Sequence, residues 1–296
     1  MPAAEVDVTP ELVRALLRTQ HPDLADRPVS VLANGWDNVT CRLGDDLLVR
    51  LPRRQLAAPL VEHEQRWLPV LAPRLPLPVP APVRVGRPAL GYPWSWSVVP
   101  YLPGEIAARV PPADLREAAA TLGEFLAALG VPAPKDAPAN ASRGIPLATH
   151  ARRTRERIAE LAGQIDAAAA GRAWARALAR PPWSRLPAWV HGDLHTANIL
   201  VERGRISGIL DFGDITAGDP ATDLAVAWML LPADCHPVFR ASYSAASPYD
   251  LGEDTWGRAR GWALALSVAF LANSADNELI AGIGRRTLAA VLADSE

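Results

Sequence analysis

Two short stretches in the second half of the chain constrain its fold more than any others. "HGDLHTANIL" covers His191–Leu200 and "ILDFGD" covers Ile209–Asp214. Each places polar residues at the edge of a short apolar run, which predicts short strands joined by loops. Asp193 is separated by four residues from Asn198, and Asp211 of an Asp-Phe-Gly triplet follows thirteen positions after that amide. Two carboxylates and one amide therefore stand in a defined order at the ends of short strands.

These three side chains are the set that kinase-type phosphoryl transfer needs. We expect Asp193 to accept or orient the proton of an attacking hydroxyl, and its alignment of that hydroxyl matters more than its weak basicity. Asn198 and Asp211 offer hard oxygen ligands for Mg²⁺, which takes further ligands from phosphate and water. A lone Asp or Asn more often caps a turn, so it is the combination that favours catalysis.

The first hundred residues predict a small β-rich unit. Thr9 and Pro10 open a helix, because threonine caps well and proline lacks only an N–H that would stay unpaired there. Antiparallel strands follow, separated by turn residues, and a later strand breaks at Pro103-Gly104, the best candidate for an interlobe hinge. The predicted strands are Val29–Gly35, Val39–Gly44, Asp46–Pro52 and a segment within Ser95–Glu105.

Three residues of this unit are candidates for nucleotide binding. Arg50 ends the third strand, and Glu64 lies on the apolar face of the helix predicted over Pro59–Leu75. We expect Arg50 to contact nucleotide phosphates and to pair with Glu64 through its forked guanidinium, where kinases usually carry a lysine. Gly35, in the turn at 33–38, would allow backbone to approach phosphate closely. Two nearby arginines leave the assignment of the phosphate ligand open: Arg53 and Arg54.

Composition limits the partners and the compartment. The chain has 296 residues, of which 49% are hydrophobic and 21% charged, and its net charge of −2 gives no support for nucleic-acid binding. Cys41 and Cys235 are too few and too far apart for a disulfide framework. The N-terminus lacks the pattern of a signal peptide, and the most apolar run, Gly261–Ala272, is shorter than the roughly 20 residues of a membrane span. We expect a cytoplasmic monomer or weak dimer.

The order of these features resembles the aminoglycoside phosphotransferase family of kinase-like small-molecule kinases. "VHGDLHTANILV" and "ILDFGDITAGDPATDLA" look like the two signature segments of that family, and the resemblance runs from about Val29 to Trp228. It implies an α+β, protein-kinase-like fold with a nucleotide-binding lobe at residues 1–100, built on an antiparallel sheet. A larger, mainly helical lobe at 101–296 would carry catalysis and substrate binding.

The resemblance also implies a nucleotide co-substrate, ATP or GTP, with Mg²⁺. The carbonyl of Pro100 and the amide of Leu102 would then meet the edge of the base. His195 stands where protein kinases carry a lysine near the γ-phosphate, which suggests a phosphate or substrate contact. The remaining residues of the signature segments are expected to support the site. His191 would be buried under the Asp-Phe-Gly turn. Asp219 and Asp223 would cap the following helix and brace the catalytic loop.

The implied activity is transfer of the γ-phosphate to a hydroxyl of a small molecule, with an aminoglycoside or related antibiotic as one acceptor. Only seven residues separate Asp211 from Asp219, which leaves no room for the activation segment of a protein kinase. A metabolite kinase acting on a choline-, homoserine- or sugar-like alcohol is the alternative, and the intact site residues argue against a silent nucleotide-binding module. Three aromatic residues are expected in the core rather than against an acceptor ring: Tyr249, Trp256 and Trp262.

Overall fold

The computed structural model describes residues 3–274 and 276–294, which form two compact units. The first unit comprises residues 3–74, 78–103 and 209–213, and the second comprises the rest of the described chain. The chain passes between them at Pro103-Gly104, where the sequence placed a break. The sequence assigned everything after residue 100 to the second unit, but Ile209–Gly213 belongs to the first. One reason is local, since the amide of Ile209 donates to the carbonyl of Pro78 at 3.0 Å.

The first unit is built on a five-stranded antiparallel sheet of order β1-β2-β3-β5-β4. As predicted, Thr9 caps the first helix, accepting from the amide of Leu12 at 3.3 Å, and three strands form a meander. β4 was not predicted, because it lies within a proline-rich stretch. The elements are α1 (Pro10–Gln20), β1 (Val29–Asn34), β2 (Asn38–Leu43), β3 (Leu47–Pro52), α2 (Ala58–Leu71), β4 (Arg84–Gly86) and β5 (Trp96–Pro100).

The core of this unit lies between α1 and one face of the sheet. Apolar residues spaced three and four apart on α1 point inward, and alternate residues of the strands face them. The largest side chain in this core is the fully buried indole of Trp96. The buried cluster includes Val13, Leu16, Leu17, Leu43, Val49, Leu51, Trp96 and Val98.

The second unit is mainly helical. Its helices are α3 (Leu115–Leu129), α4 (Ala151–Glu160), α5 (Ala167–Leu178), α6 (Ala221–Leu224), α7 (Val226–Leu230), α8 (His236–Ala246), α9 (Glu253–Asn273) and α10 (Glu278–Ala293). Its strands are β6 (Glu105–Ile106), β7 (Ala188–Val190), β8 (Ile199–Glu202), β9 (Arg205–Ile209) and β10 (Thr216–Gly218). The segment 221–230 forms two short consecutive helices, α6 and α7.

Helix α9 is the centre of the second unit. It packs against α4, α5, α6 and α10, and its side chains are buried almost without interruption from Thr255 to Val268. The three aromatic residues assigned to the core are buried as expected: Tyr249, Trp256 and Trp262. No helix in residues 3–274 and 276–294 combines the length and the apolarity that crossing a membrane requires.

Two small sheets frame the catalytic stretch. β7 pairs with β10, with Val190 opposite Thr216, and β8 lies between β6 and β9. The segment 191–198 connects β7 to β8, and the Asp-Phe-Gly triplet begins two residues after the end of β9. Short strands therefore hold both ends of each signature segment, as their apolar runs predicted.

Gly86 tests how tightly the sheet of the first unit packs. A Cβ atom at this position would lie 1.9 Å from Cε2 of the buried Trp96 ring. We expect Gly86→Ala to lower the free energy of unfolding by about 1–3 kcal/mol, because overpacking forces the core to shift. Gly171→Ala in α5 is the control, since its Cβ meets nothing within 4 Å. Denaturant unfolding compares the two, and equal stabilities would contradict this packing.

Candidate active site

The Arg50 guanidinium holds two carboxylates in the first unit. Arg50 lies in the middle of the sheet, with Thr40 and Ser97 as its neighbours on β2 and β5. Its Nη1 donates to both carboxylate oxygens of Glu64, at 2.7 and 2.9 Å, and its Nη2 donates to Oδ1 of Asp211 at 3.3 Å. Sheet, helix α2 and the Asp-Phe-Gly segment thus meet at one side chain.

Glu64 is buried with the apolar face of α2, as predicted, and only 3% of its side chain is exposed. Burial raises the pKa of the Glu64 carboxyl, and pairing with Arg50 opposes that rise. Burial by itself lowers the pKa of Arg50, but the carboxylates of Glu64 and Asp211 outweigh it and hold that pKa above its ordinary value. The backbone N–H of Phe212 also donates to Glu64. The guanidinium is therefore a permanent cation in a fixed orientation.

Asp211 adopts a left-handed backbone conformation, with φ of +58°. Non-glycine residues rarely adopt this conformation, which costs on the order of 1–3 kcal/mol and recurs at active sites. Aspartate tolerates it better than most residues do. More than half of the side chain, 54%, is exposed. Asp211 thus presents its carboxylate to solvent while one oxygen is held by Arg50.

Arg53 and Arg54 bind the β1–β2 turn rather than the Glu64 carboxylate. Arg53 donates to the carbonyl of Gly35 at 3.2 Å, and Arg54 donates to the carbonyl of Trp36 at 3.1 Å and to the carboxylate of Asp37. The amide of Gly35 closes the turn by donating to a backbone carbonyl at 2.8 Å. Of the three arginines, Arg50 is therefore the one paired with Glu64, and the other two hold the glycine turn in place.

Pro100 ends β5 with its carbonyl facing away from β3. The amide of Tyr101 donates to the carbonyl of Asp46 at 2.8 Å, so the adjacent pair, Leu47 and Pro100, is a non-hydrogen-bonded one. On the other side of β5, the described ladder with β4 reaches only to Val98. The carbonyl of Pro100 therefore points outward from the end of the sheet, and Leu102 follows two residues later.

In the second unit, backbone and side-chain hydrogen bonds close the loop that carries Asp193. The amide of Asp193 donates to Nδ1 of His191 at 3.2 Å, and His191 is fully buried. Asn198 donates from Nδ2 to the carbonyl of Asp193 at 2.9 Å and from its backbone to the carbonyl of His195 at 2.8 Å. Because Nδ2 is used inside the loop, Oδ1 is the atom that Asn198 can offer to a cation.

The Asp193 carboxylate lies between two basic side chains. Its Oδ1 accepts from Nη2 of Arg143 at 3.3 Å, and Nε2 of His195 lies 3.4 Å from its Oδ2. The ring of His195 also accepts at Nδ1 from the amide of Ala197 at 3.2 Å, which puts the proton of the neutral ring on Nε2. Burial alone raises the pKa of Asp193, but His195 and Arg143 outweigh it and hold that pKa well below its usual range. Asp193 is thus ionised at neutral pH.

Arg143 is the site residue that sequence reasoning missed. It lies in the loop between α3 and α4, fifty residues before Asp193. The loop is anchored on both sides, since Asn140 donates to Asp214 at 2.7 Å and the carbonyl of Gly144 accepts from the amide of Asp219 at 2.8 Å. No local pattern around "NASRGIP" distinguishes a residue that reaches Asp193 from a solvated arginine.

Asp219 and Asp223 make different contacts. Asp219 caps α6 through the amide of Ala221 at 3.0 Å and pairs with the buried Arg258 of α9, at 2.7 Å for Nε to Oδ2. Asp223 does not cap this helix.

Asp223 instead lies within α6 and accepts from the backbone amides of His191 and Gly192, at 2.6 and 2.9 Å. Burial raises the pKa of Asp223, while the neighbouring His191 ring and these hydrogen bonds oppose the rise.

Asp223→Asn tests this brace. The amide side chain would place an N–H donor against one of the two backbone donors, so we expect a loss of about 1–3 kcal/mol in the free energy of unfolding, the cost of a buried unpaired polar group. Asp250→Asn, on an exposed aspartate, is the matched control. Unfolding by denaturant, followed by circular dichroism, measures both. Wild-type stability of Asp223→Asn would show that Asp223 does not hold the loop.

Comparisons with known proteins agree with this geometry. A model of the phosphotransferase enzyme family, APH, matches residues 28–262. The fold resembles that of aminoglycoside 2′-phosphotransferase-IIIa in its GDP complex, at a TM-score of 0.67 and 19% identity, over 98% of this chain and 100% of that one. No curated protein matches the chain significantly in sequence.

Two further solved structures show the same fold. A macrolide 2′-phosphotransferase from Brachybacterium faecium matches at a TM-score of 0.63 and 24% identity, over 97% of this chain and 98% of that one. The streptomycin–ATP ternary complex of APH(2″)-IIa matches at 0.58 and 16% identity, over 92% of both chains. These likenesses confirm the predicted α+β, kinase-like fold. The match over residues 28–262 shows that the chain belongs to the aminoglycoside phosphotransferase (APH) family of phosphotransferase enzymes.

Proposed function

We propose that the protein transfers the γ-phosphoryl group of ATP or GTP to a hydroxyl of a small molecule. The observation that carries this proposal is the Arg50 guanidinium, whose Nη1 donates to both oxygens of Glu64 and whose Nη2 donates to Asp211. Kinases use a basic residue on the third strand, an acidic partner on the next helix and the Asp-Phe-Gly carboxylate to position phosphates. An arginine fulfils the first role here with a permanent charge and a planar set of donors.

Nucleotide binding is assigned to the first unit. The proposal places the phosphates at Arg50 and at the turn containing Gly35, and the base against the carbonyl of Pro100 and the amide of Leu102. The outward carbonyl of Pro100 supports this assignment, because a proline can contribute an acceptor although it has no N–H. Relatives with this fold are known in complexes with GDP and with ATP, so both nucleotides are candidates.

Mg²⁺ is assigned to Asn198 and Asp211. The Oδ1 atom of Asn198 and the half-exposed carboxylate of Asp211 are the hard oxygen donors that this ion prefers. In the described part of the chain, no three His, Cys, Asp or Glu side chains converge as a metal site. The ion would therefore complete its coordination with phosphate oxygens and water. When bound, it neutralises charge on the phosphates.

Asp193 is assigned to the acceptor hydroxyl. Its low pKa makes it a poor base but keeps it a full acceptor of the hydroxyl hydrogen bond at neutral pH, so its main contribution is alignment. The Nε2–H of His195 faces the same carboxylate. With substrates bound, this N–H would donate instead to an oxygen of the phosphate or of the substrate. His191 is assigned a structural role, holding the Asp193 amide from below the loop.

The acceptor class is the finer part of the proposal. Relatives with this fold include enzymes named for aminoglycosides and macrolides, which supports an antibiotic acceptor and a role in resistance. A metabolite alcohol of choline, homoserine or sugar type is the second candidate. We further propose a cytoplasmic protein that acts as a monomer or weak dimer, with no nucleic-acid or membrane partner.

Replacing Arg50 tests the phosphate assignment. Arg50→Ala should weaken Mg-nucleotide binding, and Arg50→Lys should retain part of it through charge alone. Arg84→Ala, on an exposed arginine of the same sheet, is the control and should bind normally. Calorimetric titration is performed where melting curves show every variant folded, because loss of Arg50 leaves Glu64 buried without its partner, at a cost of about 3–5 kcal/mol. Wild-type affinity in folded Arg50→Ala would move the phosphates elsewhere.

Separate replacement of the two carboxylates tests their roles. Asp193→Ala should keep Mg-nucleotide affinity but slow transfer roughly 10²–10⁴-fold, as expected for a positioned acid–base group. That loss corresponds to about 3–5 kcal/mol of transition-state stabilisation. Asp211→Ala should lose activity and also the Mg-dependent part of nucleotide affinity.

The measurements are nucleotide titration, melting curves and turnover with an acceptor found by screening hydroxyl compounds. Asp250→Ala controls for loss of a surface carboxylate. A purely structural role predicts that both variants lose stability and that their activity follows the folded fraction. Full turnover in Asp193→Ala would overturn its catalytic assignment, and failure of wild type to bind either Mg-nucleotide would overturn the proposed function.

A further inference from the structure

Six buried side-chain nitrogen atoms in the second unit have no hydrogen-bond partner among the described residues, and four of them are Nε of Arg143, Nε2 of His150, Nε of Arg157 and Nε1 of Trp262. Buried polar atoms in folded proteins are nearly always paired, so several orphans in one region require an explanation. We call these four residues the basic cluster. One of its members, Arg143, contacts the catalytic carboxylate.

Contacts in the structure link the basic cluster to Asp193. Arg143 reaches Oδ1 of Asp193 with one nitrogen and the carbonyl of Ser142 with another, both at 3.3 Å. His150 also hydrogen bonds to the backbone of Ser142, and its ring lies edge-on to Trp262, with 4.8 Å between centroids. The cluster therefore extends from Asp193 to the face of α9.

The segment that carries His150 packs closely against α9. At Gly261, next to Trp262, an added Cβ atom would lie 2.5 Å from a methyl group of Leu147, three residues before His150. The ring donates to the Ser142 carbonyl, so in the neutral ring the orphan Nε2 is a hydrogen-bond acceptor. This nitrogen is buried and has no partner among the described residues.

The charge of the basic cluster is not balanced by its surroundings. Burial lowers the pKa of His150, and the charges of Arg143 and Arg157 lower it further, so both guanidiniums act electrostatically on the ring. Glu160 acts on Arg157, but its carboxylate is 54% exposed and lies 3.7 Å from Arg153. Within residues 3–274 and 276–294, Arg157 forms no ion pair of its own, and Arg143 pairs only with Asp193.

We propose that the acceptor whose hydroxyl is aligned by Asp193 carries an acidic group, a carboxylate or a phosphate, which Arg143 and Arg157 bind. This inference rests on the proposed function and narrows its acceptor class to hydroxy acids and sugar phosphates. Guanidinium groups bind such anions by short, charge-assisted hydrogen bonds. The indole N–H of Trp262 can donate to the same group, and Nε2 of His150 can accept from a neighbouring hydroxyl.

The same charges disfavour a polycationic acceptor. Ammonium groups placed beside two guanidiniums would be repelled and would leave the orphan donors unpaired, both of which cost binding free energy. An acidic acceptor satisfies these donors and neutralises the excess charge. The basic cluster thus discriminates between acceptors of opposite charge that carry the same reacting hydroxyl.

Calorimetric titration of the full-length protein tests the proposal. Inorganic phosphate and glycerate are the probes, each titrated at millimolar concentration with and without saturating Mg-ADP. The variant is Arg157→Gln, and the control is Arg152→Gln, also on α4, where the arginine is 85% exposed and pairs with Glu156. At least one probe should bind wild type and the control, and its affinity should fall about tenfold or more in Arg157→Gln, because charged hydrogen bonds contribute on that order.

The γ-phosphate of the nucleotide is the competing source of an anion at this cluster. A non-hydrolysable ATP analogue is therefore titrated beside ADP. We expect Arg157→Gln to bind both as wild type does. Selective loss of the analogue would assign the cluster to the nucleotide and overturn the proposal.

Two other results would overturn it: no binding of either probe to wild type, or equal probe affinity in wild type and folded Arg157→Gln. The proposal would also be overturned if kanamycin bound wild type and Arg157→Gln with equal affinity and displaced the probe from neither protein. Failure of the proposed function has a separate signature, since it is the absence of Mg-ADP and ATP-analogue binding. Melting curves verify that each variant is folded.

Discussion

Burial of Glu64, Asp219 and Asp223 is the constraint on which both units depend, because a carboxylate removed from water needs a partner. Glu64 obtains Arg50 and the Phe212 amide, which bring strand, helix and Asp-Phe-Gly segment together. Asp219 lies just before α6, and Asp223 lies within it. The first binds α9 and the second binds the backbone before Asp193. The loop that carries Asp193 is therefore held by hydrogen bonds to a buried carboxylate as well as by apolar contacts.

The groups proposed for phosphoryl transfer differ in exposure, since Asp211 is more than half exposed and Asn198 is buried. Asp211 adopts a left-handed backbone conformation, and more than half of its side chain is exposed. Asn198 donates from Nδ2 inside the loop, so its Oδ1 atom is left for another partner. Asp193 is ionised because His195 and Arg143 flank it. The paired, buried carboxylates hold the segments in place, and the groups proposed for phosphoryl transfer retain unused lone pairs.

Predictions from sequence succeeded where the determinant was local. The cap at Thr9, the meander and the inward face of α2 depend on neighbours a few residues apart. Arg53 and Arg54 remained open alternatives because their proximity to Arg50 in sequence does not tell which guanidinium faces the helix. β4 was missed because its pairing with β5 overrides a proline-rich context. Asp223 was expected to cap a helix because its actual partners, two backbone amides, lie about thirty residues earlier and leave no local signal.

The sequence by itself determined the fold class, the family and the residue types available for phosphoryl transfer, because periodicity and motif order are properties of the chain. Tertiary structure alone decided which charges meet. It brought Arg143 to Asp193 across fifty residues, placed Ile209–Gly213 with the first unit and packed the His150 ring edge-on to Trp262. Charge interactions act through space and fall with distance and solvent exposure, so which charged groups meet cannot be deduced from positions along the chain.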